Sequence, residues 1–415
     1  MKLRFKYIVG CLIASFAMAS CSDVVKYEDE IPNKFENHGA PVIYAIYDVQ
    51  DTARAEALEG GALKQMIRIE GQNLAHAKKI TFNGVEVDLS QVHAEAENSY
   101  VVIPRVIPEE VNDELYYETN EGSTTRDFHV SIPSVELTGL QNEFAFPGSE
   151  VELYAKNMDL YGFNDTTETS PVKIVVINEA AGYEQEIHTD SCTEDYTSII
   201  IPKDCPENSI VQFTWTELDG VHVKKLAYRM TDQLMYGDFG DDLGWWNDWG
   251  KSLVTDGDYM GSPGSQGYNY LRVVGSFDAW SWNSTGFGCN WRWLDASAHP
   301  ENYVLKFEFC TNSSNPVPNY GDNGFDGNRN GGYCITLNNG DPRRQFDPWT
   351  EFGISNTYNH WMTISMPLDG MFEGKPLPTT EDQWVNMELV LQPNTANAWS
   401  TDHCFAQFRI EPKNY

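Results

Sequence analysis

The stretch "MIRIEGQNLAHAKKITFNGVEV", residues 66–87, contains short runs in which every second residue is apolar: Ile67 and Ile69, then Ile80 and Phe82, then Val85 and Val87. Alternation of period two places successive side chains on opposite sides of an extended chain, as in a half-buried β-strand. Asn83 and Gly84 sit between the last two pairs. They form the strongest short hairpin signal, because both residue types tolerate the positive φ that a two-residue turn demands. The reading is an antiparallel sandwich. The pattern recurs further along: "VELYAKNM" (151–158) corresponds to "IRIEGQNL" (67–74), and "SIIIPKDCPE" (198–207) to "YVVIPRVIPE" (100–109). Prolines fall four apart in both copies, Pro104 with Pro108 and Pro202 with Pro206.

Two related β-domains of roughly a hundred residues each follow, at 40–132 and 133–230. The segment "IRIEGQNLAHAKKITFNGVEV" resembles the IPT/TIG family of immunoglobulin-like modules, in which a strand, a Gly-x-Asn-Leu turn and a hairpin-bearing strand follow one another. The second copy departs from that pattern, with Ala155 at the turn glycine and Met158 at the leucine. The resemblance implies two immunoglobulin-like sandwiches in series, of a type that commonly acts as a spacer. From about residue 231 the composition changes. Eleven of the twelve tryptophans lie beyond it, beginning with "GDFGDDLGWWNDWG" (237–250). Strand-like runs such as "YVLKFEFC" (303–310), "YCITLN" (333–338) and "VNMELVLQ" (385–392) alternate there with long Gly/Asn/Asp/Pro loops. In the first of these Tyr303, Leu305, Phe307 and Phe309 recur at every second position, which predicts half-buried strands. The fold class is therefore all-β: two immunoglobulin-like sandwiches, then a larger C-terminal β-sandwich over 231–415.

The whole chain has 415 residues, enough for two to four cores. Its formal charge of -33 opposes any polyanionic partner, nucleic acid or anionic lipid surface, by long-range repulsion, and favours a neutral one. Mean hydropathy is -0.45, and no apolar run of membrane-spanning length follows the N-terminus. The N-terminus itself, "MKLRFKYIVGCLIASFAMASC", has a basic start, an apolar stretch and small residues before Cys21, the layout of an export signal. The "MASC" ending resembles a bacterial lipobox, which implies a lipoprotein signal peptide at 1–20 and lipidation of Cys21, with stable membrane anchoring as the consequence. The polar, acidic stretch at 21–39 reads as a flexible tether, and resembles the surface-export signal of Bacteroidetes lipoproteins. Six cysteines remain, Cys192, Cys205, Cys289, Cys310, Cys334 and Cys404, as buried thiols or as one or two bridges, Cys192 with Cys205 being the most local pair.

Tryptophan and sugar have complementary surfaces. A pyranose presents an apolar C–H face and a hydroxyl rim, so an indole covers the face while Asn, Asp, Gln or Arg meets the rim. Trp245, Trp246, Trp280, Trp282 and Trp349 all adjoin turn-forming or polar residues, which predicts that some of them are exposed. In "FGCNWRW" (287–293), alternation puts Phe287, Cys289, Trp291 and Trp293 on one apolar face, so that pair belongs to the core. In "SFDAWSWNS" (276–284), an extended chain would set Trp280 and Trp282 among Ser276, Asp278 and Ser284. Lipobox, serial modules and a Trp-rich sandwich together resemble the surface glycan-binding lipoproteins of Bacteroidetes polysaccharide-utilization loci, whose relatives bind xyloglucan and other β-glucans. That resemblance implies a platform of two or three aromatics, carried onto Trp246 or Trp249 and onto Trp280 and Trp282. It also implies partners: a neutral polysaccharide, an outer-membrane glycan transporter and that transporter's substrate-binding lipoprotein, with the chain lipid-anchored and exposed at the cell surface.

The competing classes are a glycan-active enzyme and a protein-binding adhesin. A glycosidase needs two carboxylates flanking the scissile bond, and no such pair stands out; a lyase acting on uronic acids needs a basic pocket, which the charge opposes. No catalytic residue, metal ligand or cofactor site is expected. "DGNRNG" (326–331) opens like an EF-hand loop but has Leu337 where the twelfth-position glutamate belongs, so it reads as a solvated loop. His299, His360 and His403 lack evident metal partners. An adhesin would account for the first two domains and leave the tryptophans unexplained.

Overall fold

The structure, a computed structural model, describes residues 33–167, 169–236, 239, 246–247, 252–255, 267–279, 281–317, 332–337, 344–371, 376–393 and 398–415. The chain divides into two compact units, Met1–Pro133 and Ser134–Tyr415. In the first, one sheet orders Val42–Asp48, Met66–Gln72, Asn98–Val102 and His93–Ala94. The other orders Val85–Glu86, Lys79–Phe82, Glu114–Thr119 and Gly122–Asp127. Ile67, Ile69, Ile80, Phe82, Val101 and Leu115 fill the space within this unit's core. The hairpin turn falls on Asn83 and Gly84, with φ of 48° and 79°. Asn83 does more than turn the chain: its side-chain oxygen accepts the backbone N–H groups of Asn112 (3.1 Å) and Asp113 (2.7 Å).

The second unit opens with the repeat. Glu136–Leu140, Glu150–Lys156, Thr197–Ile200 and Thr189–Cys192 form one sheet; Tyr183–Ile187, Lys173–Asn178, Ser209–Glu217 and Gly220–Tyr228 form the other. The strand order matches that of the first copy, and Asn73 and Asn157 hold equivalent left-handed positions (φ 56° and 63°). The C-terminal sandwich follows in the same unit. Its six-stranded sheet runs Ser252–Thr255, Tyr270–Phe277, Trp399–Pro412, Tyr303–Thr311 and Met362–Pro367, with Leu234–Tyr236 also paired to the long strand Trp399–Pro412. The five-stranded sheet runs Trp246–Asn247, Asn283–Asn290, Trp384–Gln392, Gly332–Leu337 and Arg344–Phe346. Between them lie Phe287, Phe307, Phe309, Phe405, Phe408 and Met387, all fully buried. All six cysteines are free thiols, so Cys192 and Cys205 are not bridged.

One strand departs from expectation. Tyr303–Thr311 was expected to be half-buried, yet Glu308 on its polar face is as inaccessible as Phe307 on its apolar one. The polar face is covered by the neighbouring sandwich. From there the segment around Glu143 and Phe144 reaches in, and an ionic cluster closes over the junction. Lys306 Nζ lies 2.7 Å from Glu143 and 2.9 Å from Glu411; Arg409 lies 2.7 Å from Glu143, 2.9 Å from Glu308 and 2.7 Å from Glu411. Arg409 also stacks on the Phe144 ring at 4.8 Å. The Thr363 hydroxyl donates to Glu308 (2.9 Å) and accepts the Glu143 N–H (2.8 Å), while the Thr363 N–H donates to the Gln141 carbonyl (2.7 Å).

Two cations face three carboxylates in this cluster, so one carboxylate lacks a full share of positive charge. Glu308 is the one whose acidity yields. Burial pushes its carboxyl up to about 7 despite Arg409, and Glu143 adds to the rise. The folded state therefore holds a proton that the unfolded chain gives up near the ordinary carboxylate range. The associated stability is fully present below pH of about 4.5 and is lost as pH climbs through about 7, an effect on the order of 3 kcal/mol. Glu308→Gln, which leaves two cations against two carboxylates, should flatten this dependence. Thermal melts from pH 5 to 8.5 should show the variant gaining on the wild type as pH rises. Arg409→Met, which strands three carboxylates, should cost about 3–5 kcal/mol.

Candidate functional site

One end of the outer face of the five-stranded sheet brings an exposed aromatic and polar groups together. In Trp384–Gln392 the residues Val385, Met387, Leu389 and Leu391 point into the core, which turns Trp384, Asn386 and Glu388 to the other side, where Val390 is nevertheless fully buried. In the adjacent Asn283–Asn290, Phe287 points inward, leaving Ser284, Gly286, Gly288 and Asn290 on the outer row. The two rows lie side by side: Asn290 opposite Trp384, Gly288 opposite Asn386, Gly286 opposite Glu388. Thr336 of Gly332–Leu337 lies opposite Glu388 and is fully buried.

Glycine makes this face flat. A Cβ at Gly288 would collide with the Trp384 ring, so the indole rests directly on the backbone there. Its N–H donates to the Asn386 side-chain oxygen at 2.8 Å, which fixes the ring's rotation. Trp384 is nonetheless 47% exposed, one of the largest accessible aromatic surfaces of the sandwich. The result is a rigid apolar plate bordered by an amide and a carboxylate. Such a plate matches a ligand with an apolar face and a polar rim, and rigidity spares it the entropy of ordering.

Of the residues singled out from sequence, Trp282 is 44% exposed and precedes the row Ser284, Gly286, Gly288 in phase. It stands roughly 27 Å from the Asn290–Trp384 end at about 3.4 Å per residue, and Ser284, Gly286 and Val390 between them are buried, so the two rings are separate exposed points. Trp246 lies on the edge strand Trp246–Asn247, in register with Gly286. Trp249 and Trp280 lie outside the described residues, as do Cys21, the expected acylation position, and the loop 326–331. The segment around Trp280 is not one extended strand. Tyr270–Phe277 ends before it, and the Ser281 N–H closes a turn on the Asp278 carbonyl (3.1 Å), because here the chain leaves one sheet for the other. Trp349 is exposed on the helical turn Pro348–Phe352.

The second Trp-x-Trp pair is core, as its alternation predicts, although the strand itself ends at Asn290. Trp291 is fully buried, its indole N–H donating to the Ser297 hydroxyl (2.8 Å), and Trp293 donates to Gln233 (3.0 Å). His403 is core as well. Burial lowers its pKa to about 4, and the neutral ring donates to the Asn315 carbonyl (2.9 Å) and accepts from the Tyr333 hydroxyl (3.1 Å). Trp384 was missed from sequence. Extending "VNMELVLQ" by one residue puts it in phase with Asn386 and Glu388, and a tryptophan on the polar face of a strand is the available signal. Among the described residues, Glu217, Asp219 and His222 form the one group of metal-ligating types close enough to share an ion. Its members already serve one another: Glu217 accepts the Trp215 indole N–H (2.7 Å), and His222 binds Asp219 (2.6 Å) while stacking on Trp215.

Residues 228–412 match the family model described as "Surface glycan-binding protein B xyloglucan binding domain". No curated protein sequence matches the chain. Among solved structures, the surface glycan-binding protein PbSGBP-B from Prevotella bryantii is 17% identical, covering 91% of this chain and 100% of its own, with a TM-score of 0.43. The SGBP-B from a complex xyloglucan utilization locus in Bacteroides uniformis is 15% identical, covering 90% of this chain and 99% of its own, with a TM-score of 0.48.

The contrast between the two kinds of tryptophan has a direct check. Trp291→Ala should destabilise the chain by about 3–5 kcal/mol, the cost of an uncompensated cavity, whereas Trp384→Ala, removing a half-exposed ring, should cost less than about 1 kcal/mol. Denaturant titrations of the two variants measure both values.

Proposed function

We propose that this chain, whose residues 228–412 belong to the surface glycan-binding protein B xyloglucan-binding domain family, is a non-catalytic protein that captures a neutral β-glucan-type polysaccharide, with xyloglucan the first candidate. The observation that carries the reading is the Trp384 ring seated on Gly288 beside Asn386 and Glu388, within the matched residues. A sugar backbone laid over the Trp384 end of the sheet would stack a C–H face on Trp384 and direct hydroxyls to Asn386 and Glu388, with the exposed Trp282 as a separate contact. Trp246 stands on the neighbouring edge strand, in register with Gly286. Trp249 and Trp280 complete the platform in this reading.

Non-catalytic binding is supported by the chemistry of the face. In the described outer rows Glu388 is the sole carboxylate, whereas glycosidic hydrolysis uses two across the scissile bond. Weak individual contacts suffice if many copies engage one polymer. That requirement fits the rest of the proposal: Cys21 lipidated, the chain displayed on the outer membrane, and the captured glycan passed to a transporter and its substrate-binding lipoprotein.

Affinity electrophoresis of the purified chain in gels containing xyloglucan, mixed-linkage glucan or a uronic-acid polymer tests the ligand class. Retardation is expected in the neutral gels, little changed between low and high salt because no charge pairs drive it. Trp384→Ala should lose at least tenfold in affinity, about 1.4 kcal/mol. Retention only in the acidic gel, or release of reducing ends from the neutral ones, would overturn the reading. Cys21→Ala should move the protein from the membrane to the soluble fraction without altering retardation.

A further inference from the structure

A second concave site lies at the junction of the repeat sandwich and the C-terminal sandwich, both within residues 134–415. It is a cleft of about 410 Å³, within the range of small-ligand pockets. Tyr154 and Thr138 come from one sandwich; Ser365, Thr363, Lys306 and Phe352 from the other. The rings of Tyr154 and Phe352 and the prolines Pro367 and Pro412 supply apolar walls, and the hydroxyls of Thr138 and Ser365 supply polar points, the Thr363 hydroxyl being taken up by Glu308 and the Glu143 N–H.

The charges at its floor decide what it accepts. Lys306 is engaged by Glu143 and Glu411, and Glu143 by both Lys306 and Arg409, so the ionic groups of the floor are consumed by one another, while Lys413 in the lining donates to the Glu301 carbonyl. An ionic ligand would have to break a buried network, which is costly. A neutral polyhydroxylated ligand can use the rings and the Thr138 and Ser365 hydroxyls without disturbing that network. Tyr154, 37% exposed, makes no side-chain hydrogen bond among the described residues, although its ring and hydroxyl border the cleft. Burial, then the carboxylates of Glu152 and Glu308, push its hydroxyl up to about 12, so it remains a donor at working pH. The same ion pairs that satisfy the floor also fix the two walls relative to each other, which leaves the cleft open and preformed without ligand.

We infer that this cleft is a second saccharide subsite, binding one pyranose of a neutral polysaccharide, a branch or chain-end sugar, over Tyr154 with Ser365 and Thr138 at its hydroxyl rim. The inference rests on the glycan-binding reading of the outer sheet face. Together the two sites would let one molecule hold both the backbone and a branch, or two segments, of the same polymer, which raises retention through effective concentration.

The test is calorimetric titration of the full chain with branched xyloglucan oligosaccharides at millimolar concentration, using wild type, Trp384→Ala, Tyr154→Ala and Ser365→Trp, each first checked by thermal melt. Two binding events are expected for the wild type. Trp384→Ala should keep one of them, and that remaining event should weaken at least tenfold when Tyr154→Ala or Ser365→Trp is added. A single event that Trp384→Ala abolishes, and that neither cleft variant alters, would overturn the cleft while leaving the platform in place. No heat with any neutral oligosaccharide would overturn both.

Discussion

Arg409 places a fully buried guanidinium where two sandwiches meet, and the organisation of residues 134–415 depends on how its charge is met. An isolated buried cation is untenable, so its five N–H donors must find acceptors. Two come from its own sheet, Glu308 and Glu411, and the third, Glu143, from the other sandwich. Lys306 then balances what Arg409 cannot. Replacing such a network by apolar side chains often leaves stability unchanged or improves it, so its value here is geometric: it fixes one mutual orientation. A second arginine shows the same use of the linking segment, since Arg229 donates to the Phe144 carbonyl (2.9 Å) and packs over the Phe144 ring at 5.5 Å.

Much of this was legible before any coordinates. Period-two alternation and Asn83-Gly84 identify the strands and the first hairpin, and the recurrence of "IRIEGQNL" as "VELYAKNM" identifies a repeat whose strand order the structure reproduces. Alternation also separates Trp291 and Trp293, in the core, from Trp282 at the surface. What sequence could not reveal was long-range pairing. Glu143 and Arg409 are far apart in the chain, and nothing local marks either as buried; in "YVLKFEFC" the charged residues look solvent-facing because alternation reports one sheet's core and is silent about a second domain packed on its back. Trp384 was missed for a related reason: its meaning comes from the glycine on the neighbouring strand, almost a hundred positions earlier.

The distribution of charge follows a consistent logic. The chain carries a large net negative charge, yet the candidate platform presents an indole, an amide and a single carboxylate, and the interdomain cleft presents hydroxyls over a floor of mutually engaged ions. Acidic groups elsewhere keep the protein soluble and discourage polyanions. At the places suited to ligands, charge is either sparse or already spoken for, which is the electrostatic condition for selecting neutral, hydroxyl-rich molecules.

The ionic junction also has a mechanical meaning. Several ion pairs sharing one guanidinium act in parallel, so a load applied across the junction is divided among them and they must fail together, unlike the strands of a peeling hairpin, which give way one at a time. A polymer tugged from the outer sheet face would therefore load residues 134–415 as one stiff body. The repeat sandwich thereby braces the C-terminal one.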